Sequence, residues 1–182
     1  MTALLELAAV RQRAMRFSVE EYHRLGELPV ELLRGTVIEK IPKSPLHQFY
    51  VDRLRQILSS QISPEFVVRQ EAPLTFADSE LEPDVAVVVG PAERYISAHP
   101  SSAELVIEVA VSSLEIDRVK AAIYAEAGVR EYWIVSPEEK RVEVLRDPGP
   151  QSYVQLHVVA APAVLESSAL AGVRLDLVTL FA

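Results

Sequence analysis

The sequence predicts one domain of mixed α/β (α+β) class, and three observations lead to this prediction. Short runs of branched apolar residues, which are typical of buried strands, alternate with segments whose apolar residues recur at helical spacing. One helical segment lies between two apolar strands, as in a crossover connection within a sheet. The length of 182 residues suits a single domain with a substantial core.

The amino-terminal part of the chain predicts five features from caps, turn residues and apolar spacing. They are an amphipathic helix over Met1–Arg16, a short helix over Ser18–Leu25, a β-hairpin over Glu31–Ile41, a helix from Leu46 to about Ile62, and antiparallel strands at Phe66–Val68 and Pro73–Phe76. Ser18 and Glu21 form a capping box, and Gly35 marks the hairpin turn. The first segment lacks the charge-then-apolar order of a signal peptide, and no apolar run reaches the ~20 residues of a membrane span.

Two strongly apolar strands follow, and each contains an acid. Leu81–Val89 has Asp84 near its start, directly after a proline, and Leu105–Val111 has Glu108 at its centre. Ionised side chains are rarely buried unless they are paired or bind a metal. If the two strands are neighbours, both acids approach one point near the edge of the sheet. The alternatives are a turn or capping role for Asp84 and a salt bridge for Glu108.

A helix is predicted over Leu114–Ala127, with a serine cap before it and Gly128 as its stop. Its apolar stripe contains Lys120 and is otherwise formed by Ile116, Val119, Ile123, Tyr124 and Ala127. The ammonium group either extends to water along its aliphatic stem or turns towards Glu108. If it turns towards Glu108, the ammonium group would orient an attacking water and stabilise developing negative charge.

The rest of the chain is predicted to be rich in strands. Glu131–Val135 predicts a strand, and a turn at Ser136–Lys140 joins it to a hairpin partner at Arg141–Leu145. Beyond residue 150 the pattern is β-rich and then weakly helical or irregular to Ala182. We find no internal repeat and no linker that divides the chain.

The amino-acid composition excludes some classes of function and favours others. The absence of cysteine excludes disulfides, thiolate catalysis and cysteine-ligated metal sites, and it fits a reducing compartment, so we expect a cytoplasmic protein. The net charge of −8 argues against a broad phosphate-binding surface, although acids gathered around a metal would contribute to that charge. Two acids and a lysine on one sheet indicate a site that holds a divalent cation, Mg²⁺ or Mn²⁺, where a phosphate is attacked.

These residues carry a resemblance to a known group of proteins. Pro83-Asp84 followed by Glu108-Val109-Ala110 resembles the PD-(D/E)xK signature of restriction-endonuclease-like nucleases. A wider set of segments resembles the Uma-two family of restriction endonucleases. They are residues 31–35, 44–47, 82–84, 106–109, Lys120, Tyr124, 128–129 and 131–135. The resembling core runs from about residue 17 to residue 145, and a β-rich extension follows it within the same domain of residues 1–182.

The resemblance implies a restriction-endonuclease-like core, in which a mixed sheet is flanked by helices. It also implies magnesium-dependent cleavage of phosphodiester bonds in nucleic acid, DNA rather than RNA. Asp84 and Glu108 match the acids that bind the metal, which we expect the carbonyl of Val109 to bind as well, and Glu31 matches a further acid near it. Many restriction-type nucleases cut two strands with two copies, which implies a homodimer.

One departure from the signature bears on activity. Ala110 stands where the signature has lysine, and Lys120 on the following helix is the candidate replacement, as in some members of the superfamily. His47, near the start of the long helix, is a candidate general base or phosphate contact, with a surface role as the alternative. The alternative function is a noncatalytic module that keeps the nuclease fold for binding or assembly. The net charge and Ala110 favour that module, whereas the buried acid and the inward lysine favour an enzyme.

Overall fold

The computed structural model of the chain describes residues 16–182. Within this range the helices are α1 (Val19–His23), α2 (Pro45–Ser59), α3 (Leu114–Glu126) and α4 (Leu177–Leu180), and Ala92–Tyr95 forms a 3₁₀ turn. The strands are β1 (Val30–Leu33), β2 (Thr36–Glu39), β3 (Phe66–Gln70), β4 (Leu74–Thr75), β5 (Glu80–Leu81), β6 (Val85–Val89), β7 (Leu105–Val109), β8 (Glu131–Ser136), β9 (Arg141–Pro148), β10 (Tyr153–Ala160), β11 (Val164–Glu166) and β12 (Arg174–Asp176). The predicted mixed α+β class is confirmed.

A six-stranded mixed sheet of order β10-β9-β8-β7-β6-β3 forms the centre of the fold. Its strands β7 and β8 are parallel, and the other neighbours are antiparallel. Helix α3 connects the parallel pair, as the sequence predicts for the strands of Glu108 and Trp133. A four-stranded sheet of order β2-β1-β5-β4 and a ribbon of β11 and β12 complete the fold.

The central strands are apolar on both faces because each face covers a separate core. On one face, residues such as Ile107 and Trp133 pack against α2 and the carboxyl-terminal segment. On the other face, residues such as Val106 and Tyr132 pack against α3 and the small sheet. Glu108 shares a face with Val106, so its side chain points to the α3 side. None of the helices within residues 16–182 has both the length and the apolar character required to cross a membrane.

The β1–β2 hairpin is held by a two-residue turn. Arg34 and Gly35 have φ angles of 50° and 76°, the positive values that a type I′ turn requires at both positions. The Gly35 N–H donates to the carbonyl of Asp78, and its carbonyl accepts from the N–H of Phe17. These bonds tie the hairpin to its neighbours and so fix the position of Glu31 on β1.

Several local predictions are confirmed. The capping box of Ser18 and Glu21 is present at the start of α1. Gly128 follows α3 with a φ angle of 73°, as expected for the residue that ends a helix. The helix predicted over residues 1–16 lies, apart from Arg16, outside the described range.

Three predicted details are wrong. Leu81–Val89 is not one strand, because Pro83 lacks the N–H that a ladder needs and the chain passes there from the small sheet to the large one. The strands near Phe66 and Leu74 do not pair with each other. Instead β3 pairs with β6 and β4 with β5, since the chain turns at Glu71, whose φ angle is 48°. Val119 lies outside the buried stripe of α3 and is 61 % exposed.

The hairpin turn generates a stability prediction. In Gly35→Ala the new Cβ would lie 2.9 Å from Cβ of Arg16, in addition to the cost of the positive φ angle. Gly26 has the same φ angle of 76° with no atom within 4 Å of such a Cβ, so Gly26→Ala is the matched control. We expect Gly26→Ala to lower the unfolding free energy by about 1 kcal/mol and Gly35→Ala by about 2–3 kcal/mol, as measured by urea denaturation. Equal losses would show that the packing around Gly35 can relax.

Candidate active site

A cleft of about 250 Å³ opens between the β1–β2 hairpin, the segment leading into α2, and the amino-terminal half of α3. Asp84 and Glu108, from adjoining ends of β6 and β7, lie in its wall. The structure brings five predicted site residues to this cleft, namely Glu31, His47, Asp84, Glu108 and Lys120. The sixth, Val109, contributes a backbone N–H that bonds to Asp84.

Glu108 lies in the central strand β7 with 3 % of its surface exposed. Its Oε1 accepts hydrogen bonds from Nζ of Lys120 at 3.1 Å and from the hydroxyl of Tyr124 at 3.0 Å. Its Oε2 accepts from the N–H of Asp84 at 3.2 Å. Lys120 and Tyr124 are four residues apart on α3 and therefore meet Glu108 from the same helix face. Both oxygens of this buried carboxylate have donors, as burial of a charged group requires.

Asp84 is the last residue before β6 and is held by several donors. Its Oδ2 accepts from the N–H of Val109 at 2.8 Å and lies 2.9 Å from Nε2 of His47. Its Oδ1 lies 3.5 Å from Nζ of Lys43. The Asp84 N–H bonds to Glu108 while the Val109 N–H bonds back to Asp84. This reciprocal pair of bonds fixes the two acids next to each other.

The ammonium group of Lys120 lies inside the cleft and is shared among three acids. Its Nζ is 3.1 Å from Glu108, 3.2 Å from Oε2 of Glu31 and 3.9 Å from Oδ1 of Asp117. Glu31 is held in turn, because its Oε1 accepts from the N–H of Glu82 at 2.8 Å. The lysine is buried, so the alternative in which it extends to water does not describe this structure.

Burial and neighbouring charges shift the pKa values of Glu108, Asp117 and Lys120. Burial raises the pKa of Glu108 well above its ordinary value, and the nearby carboxylates add to this although the charge of Lys120 opposes it. Burial also raises the pKa of Asp117 to about 6, again against the charge of Lys120. Burial alone would lower the pKa of Lys120, but Glu108, Glu31 and Asp117 together raise it above its ordinary value. The lysine therefore stays protonated at neutral pH.

The pKa of Asp84 is shifted in the opposite direction to the pKa of Glu108. Burial alone would raise the pKa of Asp84, but the hydrogen bond with His47, the N–H of Val109 and the charge of Lys43 lower it below its ordinary value. Asp84 is therefore ionised at neutral pH. Two adjacent carboxyl groups with pKa values moved in opposite directions are typical of functional sites.

His47 is oriented towards Asp84. Because Oδ2 of Asp84 is an acceptor, we assign the ring hydrogen to Nε2 from the hydrogen-bond pattern. The other nitrogen, Nδ1, is buried and has no partner within the described residues. This geometry favours a role in which His47 positions Asp84 over a role as general base.

Sequence reasoning missed several charged members of the cleft, among them Lys43 and Asp117. Nζ of Lys43 lies 2.6 Å from Glu71 and 3.5 Å from Asp84. No periodicity indicates its direction, because it lies in the irregular segment between β2 and α2. The position of Asp117 could have been predicted, since it precedes Lys120 by three residues and so lies on the same helix face. Its Oδ2 accepts a hydrogen bond from the hydroxyl of Ser113 at 2.6 Å.

The donors available to a metal ion are few and consist of oxygen. Among residues 16–182, no three His, Asp or Glu side chains form a group that could hold a metal ion by themselves. The cleft offers the carboxylates of Asp84 and Glu108 as metal ligands. The carbonyl of Val109, the third predicted ligand, accepts a hydrogen bond from the N–H of Val111 at 3.2 Å. Magnesium commonly takes one or two carboxylates and completes its shell with water and substrate phosphate. The donor set therefore fits magnesium, and the surplus of buried acids favours a cation.

The chain is similar to a known protein family over most of its length. The model of the family Uma2, described as "Putative restriction endonuclease", matches residues 19–178. The chain belongs to the Uma2 family. The match includes every residue of the cleft described above, and it confirms the resemblance that the sequence motifs indicated.

A solved structure has a similar fold. The crystal structure of "a putative nuclease belonging to DUF820 from Anabaena variabilis ATCC 29413" superposes with a TM-score of 0.78. The two chains are 20 % identical, and the similarity covers 91 % of this chain and 97 % of that chain. At this identity the comparison shows a shared fold. No functionally curated protein matches the chain.

The raised pKa of Asp117 generates a prediction about stability in metal-free solution. An acid with a folded pKa of about 6 and an ordinary value of 3.8 holds more protons in the folded state, so it lowers stability as pH rises from about 4 to about 6. Asp117→Asn removes this loss. With a chelator present, we expect the variant to exceed the parent in unfolding free energy by about 1–3 kcal/mol at pH 7 and by little at pH 4.

The matched control for this prediction is Glu115→Gln, an exposed acid on the same helix. Urea denaturation at several pH values measures the difference. A variant that is less stable than its parent at pH 7 would mean that the bonds of Asp117 to Ser113 and Lys120 outweigh the cost of its burial.

Proposed function

We propose that the protein is a magnesium-dependent endonuclease that hydrolyses phosphodiester bonds in DNA, and that it acts as a cytoplasmic homodimer. The observation that carries this proposal is a group of four buried acids, three of which surround one buried lysine. Glu31, Glu108 and Asp117 lie around Lys120, and the fourth acid, Asp84, lies beside Glu108 and is paired with His47 and Lys43. Burying four carboxylates costs more free energy than pairing with these groups offsets, so stability does not account for them. Membership in a family described as restriction endonucleases supports the same chemistry and supports DNA as the substrate.

Asp84, Glu108 and the carbonyl of Val109 would hold the metal. When bound, magnesium polarises a phosphoryl oxygen and acidifies water near the scissile bond. Mn²⁺ prefers the same oxygen donors and would serve as well. The proximity of Glu108 to three other acids supports this role, because a bound cation offsets both the burial and the repulsion that raise the pKa of Glu108.

The protein's own groups would complete the chemistry. Lys120, protonated and held between Glu31 and Glu108, would orient the attacking water and stabilise negative charge on the phosphate in the transition state. Tyr124 would keep Glu108 in place through its hydroxyl, and His47 would do the same for Asp84. Lys120 thus takes the place of the lysine that the signature has at Ala110.

A second candidate function is a noncatalytic module that uses the nuclease fold for binding or assembly. The oxygens of Glu108 have donors within the protein, and those of Asp84 lie near His47, Val109 and Lys43, which favours a site that is complete without a ligand. The net charge of −8 also favours it. Metal binding separates the two functions, because a site that has lost its activity has no reason to bind Mg²⁺ at millimolar concentration.

The first test replaces a proposed metal ligand. Glu108→Gln keeps the shape of the side chain but removes the charge, so we expect magnesium-dependent cleavage of plasmid DNA to fall at least about 10²-fold while circular dichroism is unchanged. Glu104→Gln, outside the cleft and paired with Arg130, is the matched control and should cleave like the parent. Equal cleavage by Glu108→Gln would assign the activity to a contaminant or to other residues.

The second test addresses the lysine that replaces the signature residue. Lys120→Met keeps the packing of the aliphatic stem and removes the charge, so we expect the cleavage rate to fall about 10²–10³-fold. The melting temperature should change by only a few degrees, because Glu108, whose pKa burial raises well above its ordinary value, can take up a proton. Lys140→Met, in the β8–β9 turn, is the control. A variant that is destabilised but cleaves normally would leave Lys120 with a structural role alone.

A further inference from the structure

We infer that the free edge of β10 is the surface through which two copies of this chain form a two-fold dimer with one continuous sheet. This inference concerns a surface outside the cleft and does not depend on catalysis. It specifies how the proposed homodimer is built.

The first observation is an exposed sheet edge. β10 pairs with β9 in regular register from Gln155 to Ala160, and within residues 16–182 no strand pairs with its other side. Six residues of strand offer ~20 Å of backbone. Every second residue along such an edge presents its N–H and C=O outward, which makes the edge a template for another strand.

The second observation is that this edge lacks the usual protection. Natural edge strands carry charges or proline that prevent pairing with another chain. Tyr153–Ala160 contains no Asp, Glu, Lys, Arg or Pro, in a chain where such charged residues make up 24 %. The opposite edge of the same sheet, β3, contains Arg69 and is half-buried along its length. Of the two edges of this sheet, β10 is therefore the one suited to pairing.

The third observation is an apolar row on one face of β10. Val154, Leu156 and Val158 alternate along the strand and are 77 %, 59 % and 57 % exposed. The neighbour of Val158 on β9 is Glu143, whose charge is paired with Arg118 at 2.6 Å. The other acid beside the row, Asp147 at the Val154 end, accepts a hydrogen bond from the side-chain amide of Gln155. The centre of the row, at Leu156 opposite Leu145, is apolar on both strands.

These features favour a second copy of the chain as the occupant. A chain with net charge −8 repels itself, so two copies meet best at a surface where no like charges face each other. Antiparallel pairing about a two-fold axis gives each outward N–H a carbonyl of the partner and sets the two apolar rows side by side. The same strand supplies both halves of the interface.

The dimer would leave both clefts accessible. The cleft lies at β6, β7 and the start of α3, and two strands, β8 and β9, separate β7 from β10. Pairing at β10 extends the sheet away from the cleft. Each copy would keep its own site, as required for a protein that cuts two strands of a duplex.

Analytical ultracentrifugation of the full chain over a wide concentration range tests the inference. We expect the parent to dimerise and Leu156→Lys to weaken the dimer about 100-fold or more, since the substitution places two like charges close together at the two-fold axis. Ile96→Lys, at a residue that is 83 % exposed but lies outside β10, is the matched control and should dimerise like the parent. Val158→Lys provides a second variant if Leu156→Lys does not fold.

Hydrogen–deuterium exchange gives an independent result. The outward-facing β10 amides, which do not bond to β9, should be protected in the parent dimer and should lose protection in Leu156→Lys. A parent that is monomeric at every concentration, or a dimer that persists in both lysine variants, would overturn the inference. A monomer whose outward-facing β10 amides exchange slowly would also overturn it, because the chain's own residues would then cover the edge.

Discussion

A carboxylate buried in the middle of the central sheet is the constraint on which the rest of this structure depends. Glu108 can lie in β7 only if donors reach both of its oxygens. Two come from α3, as Lys120 and Tyr124, and one is the backbone N–H of Asp84. The position of α3 over the sheet, the phase of that helix and the point where β6 begins are all tied to this one side chain. Buried polar groups of this kind favour a single arrangement of their surroundings.

The same cluster is costly, and its cost points to function. Burial, with a smaller effect of the neighbouring carboxylates, raises the pKa values of Glu108 and Asp117, which means that the folded protein resists holding both groups ionised. A well-packed apolar cluster of the same size would be at least as stable. An arrangement that opposes stability in one cleft, while the two cores around it are densely apolar, is expected where a cation and a phosphate are bound. The dimer surface proposed at β10 is apolar and distant in the sheet, so assembly and chemistry use separate regions.

Much of the site could be predicted from the sequence because its residues interrupt regular patterns. Glu108 stands out in an apolar strand and Lys120 in a helical stripe, and alternation together with helix phase is enough to direct one towards the other. The hairpin of Glu31 was predicted from its turn residues. The division of Leu81–Val89 between two sheets could not be predicted from local patterns, because it depends on which strands become neighbours in the fold. Lys43 was missed for a related reason, since an irregular segment has no period from which a side-chain direction follows.

The most direct test of the central claim is a crystal structure of the full chain soaked in Mn²⁺, with the ion located by its anomalous scattering. Our account predicts one strong peak within about 2–2.6 Å of a carboxylate oxygen of Asp84 and of Glu108, with Lys120 still beside Glu31. A map without a peak between these two acids, at a manganese concentration that supports DNA cleavage, would contradict the account. It would show that the buried acids of this cleft hold the fold together and bind no metal.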